Sequence, residues 1–338
     1  MIGKRGLLCA VLVFLFIAGM ATAEEVTTEE PTPFQVLERV EGIIYGEVRS
    51  GGLIPRLGQV EKDLFGRELP GSIAERQQAL LNFLEIGTEV QPSMLFKLGV
   101  AEWAVAQRVM AQKDAKSRIE ALEVQLEGER RPEGALAMRL ERLVTLLLPE
   151  GVTWSDVNLP ANTTFRVRFL DTITPKLAKV GDRVRLELDG TLAVDGNLVA
   201  ASGCLISGHV EEVKPPRSFG RASEVKFAFD HLKPLGPHEV PIILGEEAKK
   251  AAETDTAVMA AAGASFFGLV LLGPVGLAGG FLVRGDEKEI PAGTLIYLET
   301  SQDMQVKGYP VPEGLKGLLP QPQAETVEAS GDVGGVKQ

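Results

Sequence analysis

The sequence is poor in the residue types that do most enzyme chemistry. Its 338 residues include two cysteines, three histidines, two tryptophans and three tyrosines. Cys9 lies in an N-terminal apolar run, so a chain processed beyond that run keeps only Cys204 and forms no intramolecular disulfide. No Gly-x-Ser-x-Gly elbow, phosphate-cradling G-x-x-x-x-G-K-[ST] loop, H-E-x-x-H helix or C-x-x-C pair occurs. Cys204 and His209 share one expected strand at an odd separation, which puts them on opposite faces and removes the nucleophile-base pairing they suggest. His231 and His238-Glu239 flank a turn at 233–237 and read as surface residues, not as a metal pair. The expectation is a chain with no catalytic residue, cofactor or metal.

Basic charge is also in deficit, with 35 Lys and Arg against 46 Asp and Glu, a formal charge of −11. Nucleic acid and anionic headgroups are poor partners for such a surface. Residues 1–23 read as a secretory signal: Lys4 and Arg5, an apolar run, then Ala21-Thr22-Ala23 as the cleavage site. An uncleaved membrane anchor is the rival reading, although the run is short for a bilayer core of about 30 Å. Residues 24–33 form an acidic, Thr- and Pro-containing linker, and 309–338 are rich in Pro, Gly and small polar residues, the composition of a disordered tail.

Residues 34–150 carry a unit that recurs three times: E-x-x-[IL]-x-G, a short loop, then G-x-[IL]-x-x-R. It runs from Glu41 to Arg56, from Glu61 to Arg76 and from Glu123 to Arg139. The physics is that of a helix end, a turn and a helix start. Gly46, Gly66 and Gly128 fit the left-handed position just past a helix, and Ser72 with Glu75 makes a capping box for the next one. The Glu lies a turn before one helix ends and the Arg a turn into the next, so the spacing predicts three cross-hairpin ion pairs, each worth less than about 1 kcal/mol if exposed. The alternative is six independent solvated charges. Between the second and third units, 93–126 reads as one long helix, with Met94, Leu95, Leu98 and Trp103 as packing residues. The unit resembles helical repeats of exported bacterial proteins of unknown function.

From residue 159 the apolar period becomes two. Phe165, Val167 and Phe169 alternate with arginines, as do Val184 and Leu186, while Val225, Phe227 and Phe229 alternate with Glu224 and Lys226. Turn signals at 180–182, 195–197 and 236–237 give barrel or sandwich spacing. Leu159-Pro160-Ala161-Asn162-Thr163 is echoed by Ile290-Pro291-Ala292-Gly293-Thr294, so the second entry returns the chain to the same sheet. Between them 257–283 runs without a charge and includes Gly263, Gly268, Gly273, Pro274, Gly276 and Gly280. As a helix it would be long enough to cross a bilayer, with small residues that allow close helix approach. A bend at Gly273-Pro274 gives instead a hairpin that enters a membrane, packs against another subunit or covers the barrel.

The strand entry at 159–163, the Val194-Asp195-Gly196 turn, the 202–210 strand and Phe219-Gly220-Arg221 resemble the periplasmic β-barrel module of TrbI-type conjugal-transfer and type IV secretion channel proteins. That resemblance covers about 159–308 and implies a ring-forming barrel whose apolar insert reaches the outer membrane. The chain departs from the family's inner-membrane helix and proline-rich arm by having a cleavable signal and a helical repeat.

The sequence therefore predicts an α+β protein. An N-terminal helical-repeat domain (34–150) precedes an antiparallel β-barrel or sandwich domain (159–308) with an apolar glycine-rich helical hairpin inserted. The expected role is that of an exported, non-enzymatic envelope assembly protein, in the periplasm or on the outer membrane. Its expected partners are envelope proteins or further copies of itself, with outer-membrane contact through 257–283 and no nucleic acid. The alternative is a periplasmic binding module for a cell-wall polymer or partner protein, with the hairpin packed on the barrel.

Overall fold

The computed structural model describes residues 30–214, 224–255, 281–284 and 289–320. Helices come first and antiparallel strands follow, an α+β order with one sheet closed into a barrel. The helices are α1 (Pro33–Tyr45), α2 (Leu53–Phe65), α3 (Ile73–Leu81, running into a π-helical turn at Asn82–Ile86), α4 (Met94–Ala106), α5 (Ala115–Glu127) and α6 (Leu136–Leu147). Their N-caps Thr32, Gly52, Ser72, Ser93, Asp114 and Ala135 recur at intervals of 20 or 21 residues. Thr32 and Ser72 close full capping boxes, and Ser93 and Asp114 accept a first-turn N–H. Each helix buries one stripe, as Leu37, Val40 and Ile44 do in α1 and Leu57, Val60 and Leu64 in α2.

The long helix expected over 93–126 is two helices. α4 ends where Gln107 takes a left-handed conformation (φ 55°), and α5 starts at the Asp114 cap. The break is a repeat unit without its glycine. The turn after α3 departs in the opposite way: Leu80 and Leu84 take the places of Val60 and Leu64, but one extra residue precedes Gly87 and is absorbed as the π-helical turn.

Helix ends meet helix starts four elements later. A Cβ on Gly46 would sit 3.4 Å from the Asp114 side chain, and one on Gly66 would sit 3.8 Å from Ala135. The same positions after α3 and α4 meet the β half instead, Gly87 lying against Trp154 and the α4 exit against Ser202 and Gly203. The β half thus takes the place of the next two helix starts.

The barrel has the order β6 (Leu205–Lys214), β3 (Arg183–Leu188), β2 (Thr164–Phe169), β10 (Leu295–Thr300), β8 (Val240–Ile243) and β7 (Glu224–Leu232), and β7 pairs back onto β6 to close the ring. β9 (Phe281–Arg284) lies along the first half of β7. A second sheet, β1 (Ser155–Leu159), β11 (Met304–Pro310), β5 (Asn197–Ala200) and β4 (Leu192–Val194), sits beside it. The two similar strand entries lead into neighbours, since β10 pairs with β2. In each, a threonine hydroxyl donates back to the proline carbonyl, Thr163 to Pro160 at 2.8 Å and Thr294 to Pro291 at 2.7 Å. Val167, Phe169, Leu186, Leu188, Phe227 and Leu298 fill the interior.

Helix α7 (Glu246–Thr254) covers β10 and β2. Buried Glu299 accepts the Ala248 N–H at 2.6 Å, and Gly245 leaves room for its carboxylate, since a Cβ there would fall 1.7 Å from Glu299 Oε1 and displace it. Asp255, just past the helix, accepts from Arg166 at 3.0 Å and from the Tyr297 hydroxyl at 2.8 Å.

Three expected boundaries shift. The 24–33 linker ends early, because Thr32 caps α1 and Pro33 begins it. The 309–338 tail begins late: buried Tyr309 belongs to β11, and a 3-10 turn occupies Glu313–Leu318. The last three residues of the apolar stretch 257–283 belong to β9. Gly263, Gly268, Gly273, Pro274, Gly276 and Gly280, like the 1–23 signal, lie outside the described residues. Among the described residues no helix is long and apolar enough to cross a membrane.

Candidate functional site

The three expected ion pairs come together, and they are not solvated. Arg56 donates from Nε and Nη2 to the Glu41 oxygens at 3.0 and 2.6 Å, Arg76 to Glu61 at 2.8 and 2.6 Å, and Arg139 to Glu123 at 2.8 and 2.6 Å. All three carboxylates are fully buried. Each also accepts the backbone N–H eight residues on, from Arg49, Leu69 and Arg131. Burial pushes Glu41 and Glu123 up, but the arginine forks, backbone donors and neighbouring positive charges together outweigh it and hold both carboxyls below their ordinary value. The bound carboxylates in turn raise Arg56, Arg76 and Arg139.

A fourth pair has the same geometry. Arg118 donates to Glu102 at 3.0 and 2.7 Å, and the Met110 N–H, again eight residues on, reaches Glu102 at 3.2 Å. Sequence reasoning missed it because Gln107 and Ala115 stand where the other units have Gly and Leu or Ile. The surviving signal was a Glu and an Arg sixteen residues apart, the spacing of Glu123 and Arg139. At the α3–α4 turn Leu81 and Lys97 replace the pair, and Lys97 bonds Glu141. These pairs hold helix ends together, and of their arginines Arg118 also lines a cleft at the junction of the two halves.

The modified turns are where the two halves join. Val109 N–H donates to Ser202 O at 2.7 Å, and Glu187, buried on the barrel, takes Arg108 at 2.6 Å and Gln112 at 3.2 Å. Gly203 (φ 88°) has no room for a side chain, since a Cβ would lie 2.1 Å from Val109 O. Trp154 donates to Glu89 O at 3.1 Å and meets Phe96 edge-on at 5.3 Å. None of these contacts was legible beforehand.

Along this junction run two adjoining clefts of about 450 and 630 Å³, which share Ala111, Gln112, Leu205 and Lys233. The first has an aliphatic floor including Ile43, Leu95, Val109 and Leu235, and at its rim Arg39 (2.8 Å) and Lys233 (3.5 Å) share the carboxylate of Glu85. The second lies on the outer face of β3, β6 and β7 beside Arg183, Arg185, His209 and His231.

Among the described residues, Cys204 and the histidines at the clefts make no nucleophile–base contact. Cys204 is buried at the first cleft, and burial pushes its thiol up to about 11, so it is protonated at neutral pH. His209 meets Asp230 at 2.9 Å and His231 lies 3.9 Å from Glu239, while the Ser207 hydroxyl reaches the His231 carbonyl and not an imidazole. Among the described residues no group of three His, Cys, Asp or Glu is arranged to hold a metal. Compared with known proteins, the chain matches no protein-family model and no curated protein.

Proposed function

We propose that this chain is an exported, non-enzymatic envelope assembly protein whose two-domain body holds out the uncharged segment 257–283 for contact with a membrane. The observation that carries the reading is the fixing of both ends of that segment on the barrel. Arg166 and Tyr297 hold Asp255 at the exit, and β9 at the return pairs with β7. Between these two anchors lie the 24 uncharged residues 257–280, and uncharged apolar residues gain free energy in hydrocarbon. The TrbI-type resemblance agrees with this arrangement. Envelope proteins or further copies of the chain are the partners it implies.

Fractionation of a diderm bacterium expressing the full chain, beside a form lacking 257–283, tests the proposal. The full chain is expected in the membrane fraction, released by detergent, and the deleted form in the periplasmic extract. Equal solubility of the two contradicts it. A second reading, a periplasmic binding module, is favoured by the cleft pair at the domain junction.

A further inference from the structure

We infer that the helical half docks head to tail on a second copy of this chain, the starts of α1 and α2 in one copy seating on the ends of α5 and α6 in the other. Within one chain this contact already exists twice. The end of α1 meets the start of α5, and the end of α2 meets the start of α6, so an end meets the start four places on. The turns after α3 and α4 meet the β half, which stands at the seventh and eighth places. The ends of α5 and α6 therefore need a ninth and a tenth start, and the chain supplies none among the described residues.

Burial along the repeat marks both open faces. At the cap position Thr32, Gly52 and Ser72 are exposed, whereas Ser93, Asp114 and Ala135 are buried or half-buried. Eleven residues past each cap the order reverses: Ile43, Asp63, Phe83 and Ala104 are half-buried, and Gln125 and Leu146 are exposed. A Cβ on Gly128 would meet nothing within 4 Å among the described residues, although its counterparts Gly46 and Gly66 face Asp114 and Ala135. One open face is thus a row of helix starts and the other a pair of helix ends, the two halves of the contact the chain makes with itself.

The residues on these faces say what covers them. A repeat array that ends in water needs polar terminal faces. Here the open starts present Phe34 and Ile54, and the open ends present Val124 and Leu146. The pairing has an internal precedent: Leu95, the second residue of α4, shares the floor of the first cleft with Ile43 of α1, three places earlier. Phe34 is the second residue of α1, and in a second copy it stands three places after α6 and its Leu146. Two copies so arranged leave the seventh and eighth places to the first copy's own β half. The contact joins unlike faces, so each copy keeps one face free and further copies can add.

Sedimentation velocity of the chain from residue 24 onward, in detergent so that 257–283 is covered, tests this. The parent is expected to associate progressively with concentration. Ile54→Glu closes the start face and Leu146→Glu the end face; these side chains are 61% and 59% exposed, so each variant should melt at the parent's midpoint. Each alone is expected to associate at least about tenfold more weakly, because a carboxylate would be drawn against apolar side chains. Mixed, the two variants regain one contact, between the intact end face of Ile54→Glu and the intact start face of Leu146→Glu, and a species of two chains should appear. A monomeric parent, variants that associate as the parent does, or a mixture no larger than its components overturns the proposal. The first of these results includes the case in which residues 24–29 cover the start face themselves. Both faces belong to the helical half, so a failure of the fractionation that tests the membrane reading leaves this contact standing.

Discussion

Glu123 shows what a single residue contributes to this fold. Its buried oxygens take two bonds from Arg139, one from Arg142 and one from the Arg131 N–H, so no lone pair is left facing an apolar wall. Removing one partner of such a pair strands the other, and Glu123→Ala is expected to cost about 3–5 kcal/mol in urea unfolding. Glu102→Ala should cost about the same, because its carboxylate has the same arginine fork and backbone donor although it lacks a second arginine, whereas Glu68→Ala, which loses an exposed pair with Lys62, should leave the midpoint in place. The pH dependence follows in sign. The Glu41 and Glu123 carboxyls lie lower in the folded chain than their ordinary 4.5, so their contribution is full above that pH and is lost as pH falls through the folded values. Urea midpoints measured from pH 6 downward should drop below pH 4.5, and the drop should shrink in Glu41→Gln/Glu123→Gln. The spacing of Glu and Arg could be read from the sequence. Their burial could not, because it depends on the helix that packs over each hairpin from elsewhere in the chain.

At the scale of elements, the legible parts were those with a local chemical signature. Gly46, Gly66 and Gly128 announced three helix ends, and alternation around Phe165 to Phe169 announced a strand. The fourth helix end was hidden because Gln107 adopts the left-handed conformation that glycine adopts at lower cost. Gln107 is exposed and its backbone N–H already bonds Trp103 O, so Gln107→Gly should stabilise the chain by about 0.5–1 kcal/mol, read as a rise in the thermal midpoint. The π-helical turn was illegible for a different reason. One inserted residue keeps Leu80 and Leu84 on the buried face while shifting Gly87 onto Trp154, so only the tertiary contact shows why the insertion is there.

For the whole molecule, the junction explains why the repeat degenerates where it does. Units in contact only with helices keep their Glu, Arg and Gly. The turns after α3 and α4, which meet Trp154 and Ser202, have lost some of them. Gly203→Ala places a methyl against Val109 O and should separate the halves, turning one calorimetric unfolding transition into two. The two halves together are proposed to carry 257–283 to a membrane. Flotation of the chain from residue 24 onward with phosphatidylethanolamine-rich vesicles, compared with the form lacking 257–283, tests it most directly. The account predicts that the first floats with the lipid and the second stays at the bottom of the gradient; flotation of neither, or of both alike, contradicts it.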